Sequence, residues 1–215
     1  MPNQLLEPSI EKAWTIRLKP ALLRFFTPYP HYQIMPFAQR HLPHLYELDQ
    51  PLFVTFCLHS SLPAGREFPK SSMNSGKAFV LMDRLLDSHR ASPRYLQFPN
   101  VAQCVVAAIQ QGCRDLYTLH AWVIMPNHVH LLITPRTDVS KIMQQLKGST
   151  ARLGNQLLGL TGRPFWQNES YDHMVRNSVE FGRIENYIVL NPVRAGIVRV
   201  AEEYRWSSAW NGESG

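Results

Sequence analysis

Two apolar runs around a Pro-Asn pair, LYTLHAWVIM (116–125) and HVHLLIT (128–134), constrain this chain more than any other feature. Both have the length and the aliphatic, aromatic content of strands. A two-residue connection between strands predicts an antiparallel hairpin, although Pro126-Asn127 is not the favoured primed-turn pair. The second run also carries chemistry. Side chains alternate faces along a strand, so His128 and His130 project from one face and Val129 from the other.

The rest of the chain supplies partners for that hairpin. PLFVTFCLHS (51–60) reads as a strand, and SSLPAGREFPKSSMNSG as a Ser-, Pro- and Gly-rich loop. AFVLMDRLLDSH (78–89) suits an amphipathic helix. Asn100 is a suitable N-cap for a second helix, with Val101, Cys104, Val105, Ala108 and Ile109 at helical spacing and Gly112 as its stop. A longer helix is expected from about Val139, with Ile142, Met143, Leu146, Leu153 and Leu157 on one face. PFWQNESYDHMVR (164–176) reads as a short extended segment. Ser178 then caps a last helix, VEFGRIENYIVL, which stops at Asn191-Pro192. Apart from a doubled first helical segment, this order matches a β-α-β-β-α-β split unit with one extra C-terminal helix. The expected class is α+β, a ferredoxin-like antiparallel sheet with helices on one face. Residues 1–45, rich in Pro and aromatics and without a period, read as an irregular N-terminal extension to a single domain over 46–215.

A chain of 215 residues with 45% hydrophobic content is long enough to bury a core. No apolar run approaches the roughly 18 residues of a membrane span, and the first residues lack a signal-peptide layout. A cytoplasmic protein without a membrane partner is expected. Cys57, Cys104 and Cys113 are odd in number and form no C-x-x-C pair, so they read as reduced core residues. The net charge of +6 favours an anionic partner, but nucleic acid, an acidic membrane surface and plain solubility all fit it.

Two neutral imidazoles on one face can hold a divalent cation and leave positions open for an oxygen donor, water or a substrate phosphate. They can equally be two polar residues on a solvated face. A histidine-triad hydrolase would need a third His where Leu132 stands, and H-E-x-x-H is absent. Tyr187 and Asn191, four apart, share a helix face. A tyrosine hydroxyl is a usable nucleophile toward a polarised phosphate, and an amide oxygen suits a hard cation. The plainer reading is a helix-edge Tyr and an Asn that ends the helix. Tyr171 is a competing nucleophile and His173 a competing ligand.

HAWVIMPNHVHLLITP, SKIMQQLKGSTARLGNQLLG, FWQNESYDHMVRN, ENYIVLNPVRAGIV and YRWSSA, in that order, resemble the REP-associated tyrosine transposases of the single-tyrosine HUH superfamily. RHLPHLYELDQPLFVTFCLHSSLP resembles the same family's first strand and lead-in. The resemblance covers about residues 40 to 210. It implies a metal-dependent single-stranded DNA endonuclease and strand transferase, cytoplasmic and nucleoid-associated, acting on hairpin-forming repeats. His128, His130 and Asn191 would bind Mg2+ or Mn2+, and Tyr187, on the C-terminal helix, would form a 5′-phosphotyrosine link. Lys141, Lys147, Arg152, Arg163, Arg176, Arg183 and Arg194 would meet DNA phosphates, with Trp166 stacking on a base; Arg205, Trp206 and Trp210 are further candidates. Either a monomer or a homodimer with composite sites would serve. Two other readings remain open: a catalytically silent hairpin-binding protein, and an RNA- or nucleotide-processing metalloenzyme.

Overall fold

The computed structural model describes residues 49–62, 75–88 and 91–212. The expected N-terminal extension over 1–45 and most of the loop at 60–77 lie outside them. Four strands, β1 (Leu52–Cys57), β2 (Tyr117–Ile124), β3 (His128–Pro135) and β4 (Tyr171–Met174), form one sheet in the order β2-β3-β1-β4. All three pairings are antiparallel. The helices are α1 (Ser75–Ser88), α2 (Pro99–Asp115), α3 (Val139–Leu158), α4 (Ser178–Val189) and the single turn α5 (Asn191–Arg194). This is the expected ferredoxin-like α+β arrangement. Among the described residues no helix is long and apolar enough to cross a membrane.

The hairpin forms where the sequence places it, and Met125 N–H donates to the His128 carbonyl at 2.8 Å across Pro126-Asn127. Neither central residue has positive φ, so the turn is not of the primed kind. The sheet has two cores. Leu52, Val54 and Phe56 of β1, with Val129, Leu131 and Ile133 of β3, pack under α2 and α3. Phe53 and Cys57, with Leu132, Ala121 and Val123, face Leu86 of α1 and Ile188 of α4. The helical pair expected on one face is therefore α2 and α3, while α1 joins α4 on the other. Two covered faces explain why LFVTFC is buried at every position although its sheet is antiparallel.

Several local expectations shift. Phe98 rather than Asn100 precedes α2, with Pro99 opening the first turn, the position where a missing N–H costs nothing. Asn177 rather than Ser178 caps α4, its side chain accepting from Glu180 N–H. The last helix ends at Val189, just before Asn191-Pro192 as expected, and the separate turn α5 follows it. On α3 the buried stripe continues through Thr150 and Gly154, and Leu153 and Leu157 stand 41% and 46% exposed. Gly154 lies under the Phe165 ring, where a larger residue would not fit.

Gly112 does not end α2, which runs on to Asp115. It is glycine for a packing reason: a Cβ there would lie 2.5 Å from the Tyr117 hydroxyl oxygen, and that hydroxyl donates to the Ile109 carbonyl at 2.7 Å. The sheet edge at β2 is closed by the C-terminal segment. Ile124 N–H donates to the Trp206 carbonyl, Ser208 N–H to the Trp122 carbonyl, and the Tyr204 hydroxyl to the Ile124 carbonyl. Gly112→Ala should displace Tyr117 and destabilise the fold by about 1–3 kcal/mol, the usual cost of overpacking. A urea midpoint equal to wild type would contradict that packing account.

Candidate active site

Strand register sets the first part of the site. Thr55 of β1 lies opposite His130 on one side and Tyr171 on the other, so all three project from the face covered by α1 and α4. Thr55 Oγ1 lies 2.7 Å from His130 Nδ1. His128, opposite Cys57, is held from its own chain neighbour, its Nδ1 being 2.7 Å from Asn127 Oδ1. Asn127 Nδ2 donates to the Leu86 carbonyl and to Ser92 Oγ, both at 2.7 Å, so the atom facing His128 is an oxygen that only accepts. The His128 proton therefore sits on Nδ1, and in the neutral ring Nε2 presents a lone pair. This is the outer hydrogen bond that orients a metal-ligating imidazole.

That lone pair faces α1. Asp83 Oδ1 lies 3.3 Å from His128 Nε2 and 3.0 Å from His130 Nε2, with both rings fully buried and Asp83 6% exposed. Asp83 Oδ2 accepts from the Tyr187 hydroxyl of α4 and, at 3.0 Å, from Asn191 Nδ2 of α5. Asn191 Nδ2 is also 3.2 Å from His130 Nε2. Tyr187 and Asn191, one turn apart in the sequence, thus reach the same carboxylate. Arg194 stands over the Tyr187 ring, Cζ 3.9 Å from its centroid, and donates to the Tyr187 carbonyl at 2.6 Å. Phe53 packs edge-on against the same ring.

Donor chemistry here fits a divalent cation. Asp83, His128 and His130 offer ligand atoms that all lie within 4.8 Å of one another. Asp83 Oδ1, His128 Nε2 and Asn191 Oδ1 are buried without a hydrogen bond, which a protein rarely tolerates. Asn191 exchanges its amide atoms by a half-turn of the side chain, so its position also offers an oxygen. Electrostatics agree. Burial holds His130 below the ordinary histidine range, outweighing the pull of Asp83, and keeps the ring in the neutral form a metal needs. Burial and the neighbouring Asp83 push the Tyr187 hydroxyl far above its ordinary value, with Arg194 opposing. Tyr187 is a protonated phenol in this arrangement.

The remaining sequence candidates scatter. His173 Nε2 pairs with Glu180 Oε1 at 2.9 Å, so this competing ligand is committed elsewhere. Tyr171 is buried beside Phe53. Trp166, expected to stack on a base, is 5% exposed in the α2–α3 core and donates from Nε1 to Thr150 Oγ1. The Lys147 ammonium is spent on the Gln167 and Asn168 carbonyls at 2.6 and 3.0 Å, which pins the approach to β4. Lys141 and Arg152 are exposed on α3, on the sheet face away from the histidines, and Arg163 is exposed just after it. Arg176, Arg183 and Arg194 are exposed on the side of α4 and α5. Asp83 was not legible, since no spacing ties it to H-V-H. Asn127 had a signal, its place directly before the pair.

The family model described as Transposase IS200 like matches residues 97–191, a segment that holds His128, His130, Tyr187 and Asn191. A REP-associated tyrosine transposase of Escherichia coli K12 is 27% identical over 95 residues, 43% of this chain and 54% of that one. A Haemophilus influenzae protein named as the same kind of transposase is 25% identical over 114 residues, covering 47% and 65%. The chain is similar to the REP-associated tyrosine transposases. It spans between half and two thirds of the length of those two relatives. A solved REP-associated tyrosine transposase, bound in its crystal to a REP hairpin, shares the fold at a TM-score of 0.52 and 22% identity, over 81% of this chain and 82% of that one.

His130 gives a pH test. An unfolded histidine titrates near 6.5, whereas the buried ring takes up its proton only at lower pH. Between those values the unfolded chain binds more protons, so stability falls as pH falls. Metal-free protein should lose urea resistance between pH 7 and pH 5.5, and His130→Gln should flatten that slope. An equal slope in both proteins would remove His130 as its source.

Proposed function

We propose that this chain is a divalent-metal-dependent endonuclease and strand transferase for single-stranded DNA, transposase-like, acting on hairpin-forming repeats. One observation carries the reading. A tyrosine hydroxyl, two imidazoles oriented by Asn127 and Thr55, and the Asn191 amide converge on one buried point. Binding alone needs none of these, which weighs against a silent hairpin-binding protein. The kinship with REP-associated transposases and the hairpin held by the fold neighbour favour hairpin DNA over RNA as substrate.

His128, His130 and Asn191 are the ligands carried by the family-matched segment, and Mg2+ or Mn2+ is the cation they suit. When bound, the cation polarises the phosphate oxygens and stabilises the charge that develops on them. The Tyr187 oxygen attacks phosphorus and the P–O3′ bond breaks. The product is a 5′-phosphotyrosine, and the phenolic proton passes to the departing 3′-oxygen, directly or through solvent. A second strand's 3′-hydroxyl reverses the step, and because one phosphodiester replaces another, no ATP is consumed. Arg194 fixes the tyrosine ring from above and from its carbonyl, so the nucleophile needs little reorganisation. Arg176, Arg183 and Arg194 are the best placed of the basic residues to receive backbone phosphates near the reacting bond. Tyr187 and its histidines come from the same chain, which supports a monomer with a complete site.

Incubation with labelled single-stranded hairpin DNA from the repeats beside its own gene, with Mg2+ or Mn2+, should give a covalent protein–DNA band on a denaturing gel. Tyr187→Phe should abolish it, and a band that survives would transfer the role to Tyr171. Mixing Tyr187→Phe with His130→Ala should not restore the band; restoration would mean that sites are shared between subunits. Tight hairpin binding without any band would establish the binding-only reading instead.

A further inference from the structure

We infer that Asp83 is a further ligand to the cation and the acceptor that holds the Tyr187 hydroxyl beside it, which makes α1 part of the active site. This rests on the metal-centre reading above. The case begins with the tautomer of His128. Its Nδ1 proton is fixed by Asn127, so Nε2 carries a lone pair, and that lone pair faces Asp83 Oδ1 at 3.3 Å. His130 Nε2 is within reach of Asn191 Nδ2, a donor, and is 3.0 Å from the same carboxylate oxygen. The His128 lone pair aimed at a carboxylate oxygen at this distance is repelled unless positive charge lies between them. Desolvated, an uncompensated carboxylate is costly, and this one is almost fully buried with Oδ1 unsatisfied. A divalent cation removes both penalties at once.

The donor set then changes character. Two imidazoles and an amide are neutral, whereas a carboxylate adds one negative charge and a harder oxygen, better suited to Mg2+ and Mn2+. Asp83 lies outside the family-matched segment 97–191, so this ligand is contributed by a part of the chain that the family model does not reach. The other carboxylate oxygen faces the nucleophile. Oδ2 takes the Tyr187 hydroxyl, so the residue that would share the cation also fixes where the attacking oxygen waits. Leu86, one turn further along α1, is tied to the hairpin through Asn127 Nδ2, which holds the helix in the position this arrangement requires.

The experiment uses the full chain, stripped of metal and titrated with Mn2+, with bound ion followed by electron paramagnetic resonance. The variants are Asp83→Asn, nearly the same shape and still able to accept from Tyr187, Asp83→Ala, and Asp87→Asn as a control on the same helix. Wild type and Asp87→Asn should bind one Mn2+ alike, and both Asp83 variants at least about 10-fold more weakly, the scale seen when a metal site is disturbed. Asp83→Ala should also form the Tyr187 adduct at least about 10-fold more slowly at saturating Mn2+ and hairpin, since the hydroxyl has lost its acceptor. Wild-type Mn2+ affinity in both folded Asp83 variants would overturn the ligand assignment while leaving the phosphotyrosine reading intact. A wild-type rate in Asp83→Ala at saturating metal would overturn the role toward Tyr187. Absence of Mn2+ binding by wild type would defeat the metal-centre reading and this inference together.

Discussion

A strand buried on both faces has no water with which to satisfy a polar side chain, and β1 and β3 are such strands. Thr55, His128 and His130 therefore have to find partners inside the protein, and each finds one that also orients it. Cross-strand register gives His130 its neighbour Thr55, and the turn gives His128 its neighbour Asn127. What faces outward from both rings is the Nε2 atom, and α1, α4 and α5 close over that spot. The convergence of these side chains is thus a by-product of satisfying polar groups in a two-sided core. Remove α1 and α4 from that face and the histidines become ordinary solvated residues.

Much of this was legible in the sequence, because the elements involved are strongly patterned. The hairpin, the α2 and α3 layers and the final helix follow from period, turn residues and length. The H-V-H alternation by itself dictates which side chains share a face. Tyr187 and Asn191 were paired by helical spacing, and the structure brings both to the same carboxylate. The misses share a cause, since each depends on what packs against an element rather than on the element's own pattern. Asp83 belongs to a helix whose docking face is decided by contacts with β3 and the turn at Asn127. Leu153 and Leu157 fit a helical stripe, yet the stripe of α3 that packs inward runs through Ile142, Leu146, Thr150 and Gly154. Gly112 looked like a stop signal because nothing in the chain announces that Tyr117 folds back over it. Trp166 looked like a stacking platform because a buried indole and an exposed one read alike in sequence.

Basic charge, so even in composition, is uneven in space. Arg183 and Arg194 belong to the helices that carry Tyr187 and Asn191, whereas Lys141 and Arg152 lie across the sheet on α3. Lys147 is a structural cation that satisfies two carbonyls before β4. A net charge of +6 is therefore a poor guide to how much positive potential a ligand meets at any one face. The Arg194 guanidinium is stacked on the Tyr187 ring and opposes the rise of its hydroxyl's pKa, so it acts on this side chain through both contact and charge.

The segment from Tyr204 to Ala209 leaves a different consequence. It lies along β2 as a short, hydrogen-bonded cover for backbone groups that would otherwise face solvent as an open template. The strand it shields is one half of the histidine hairpin, whose partner β3 carries His128 and His130. An edge left bare invites pairing with another chain, and a slip of one residue in β2–β3 would turn both imidazoles to the wrong side of the sheet. The segment thus protects the alignment of residues some eighty positions earlier, guarding against edge pairing and keeping the histidine register by the same few hydrogen bonds.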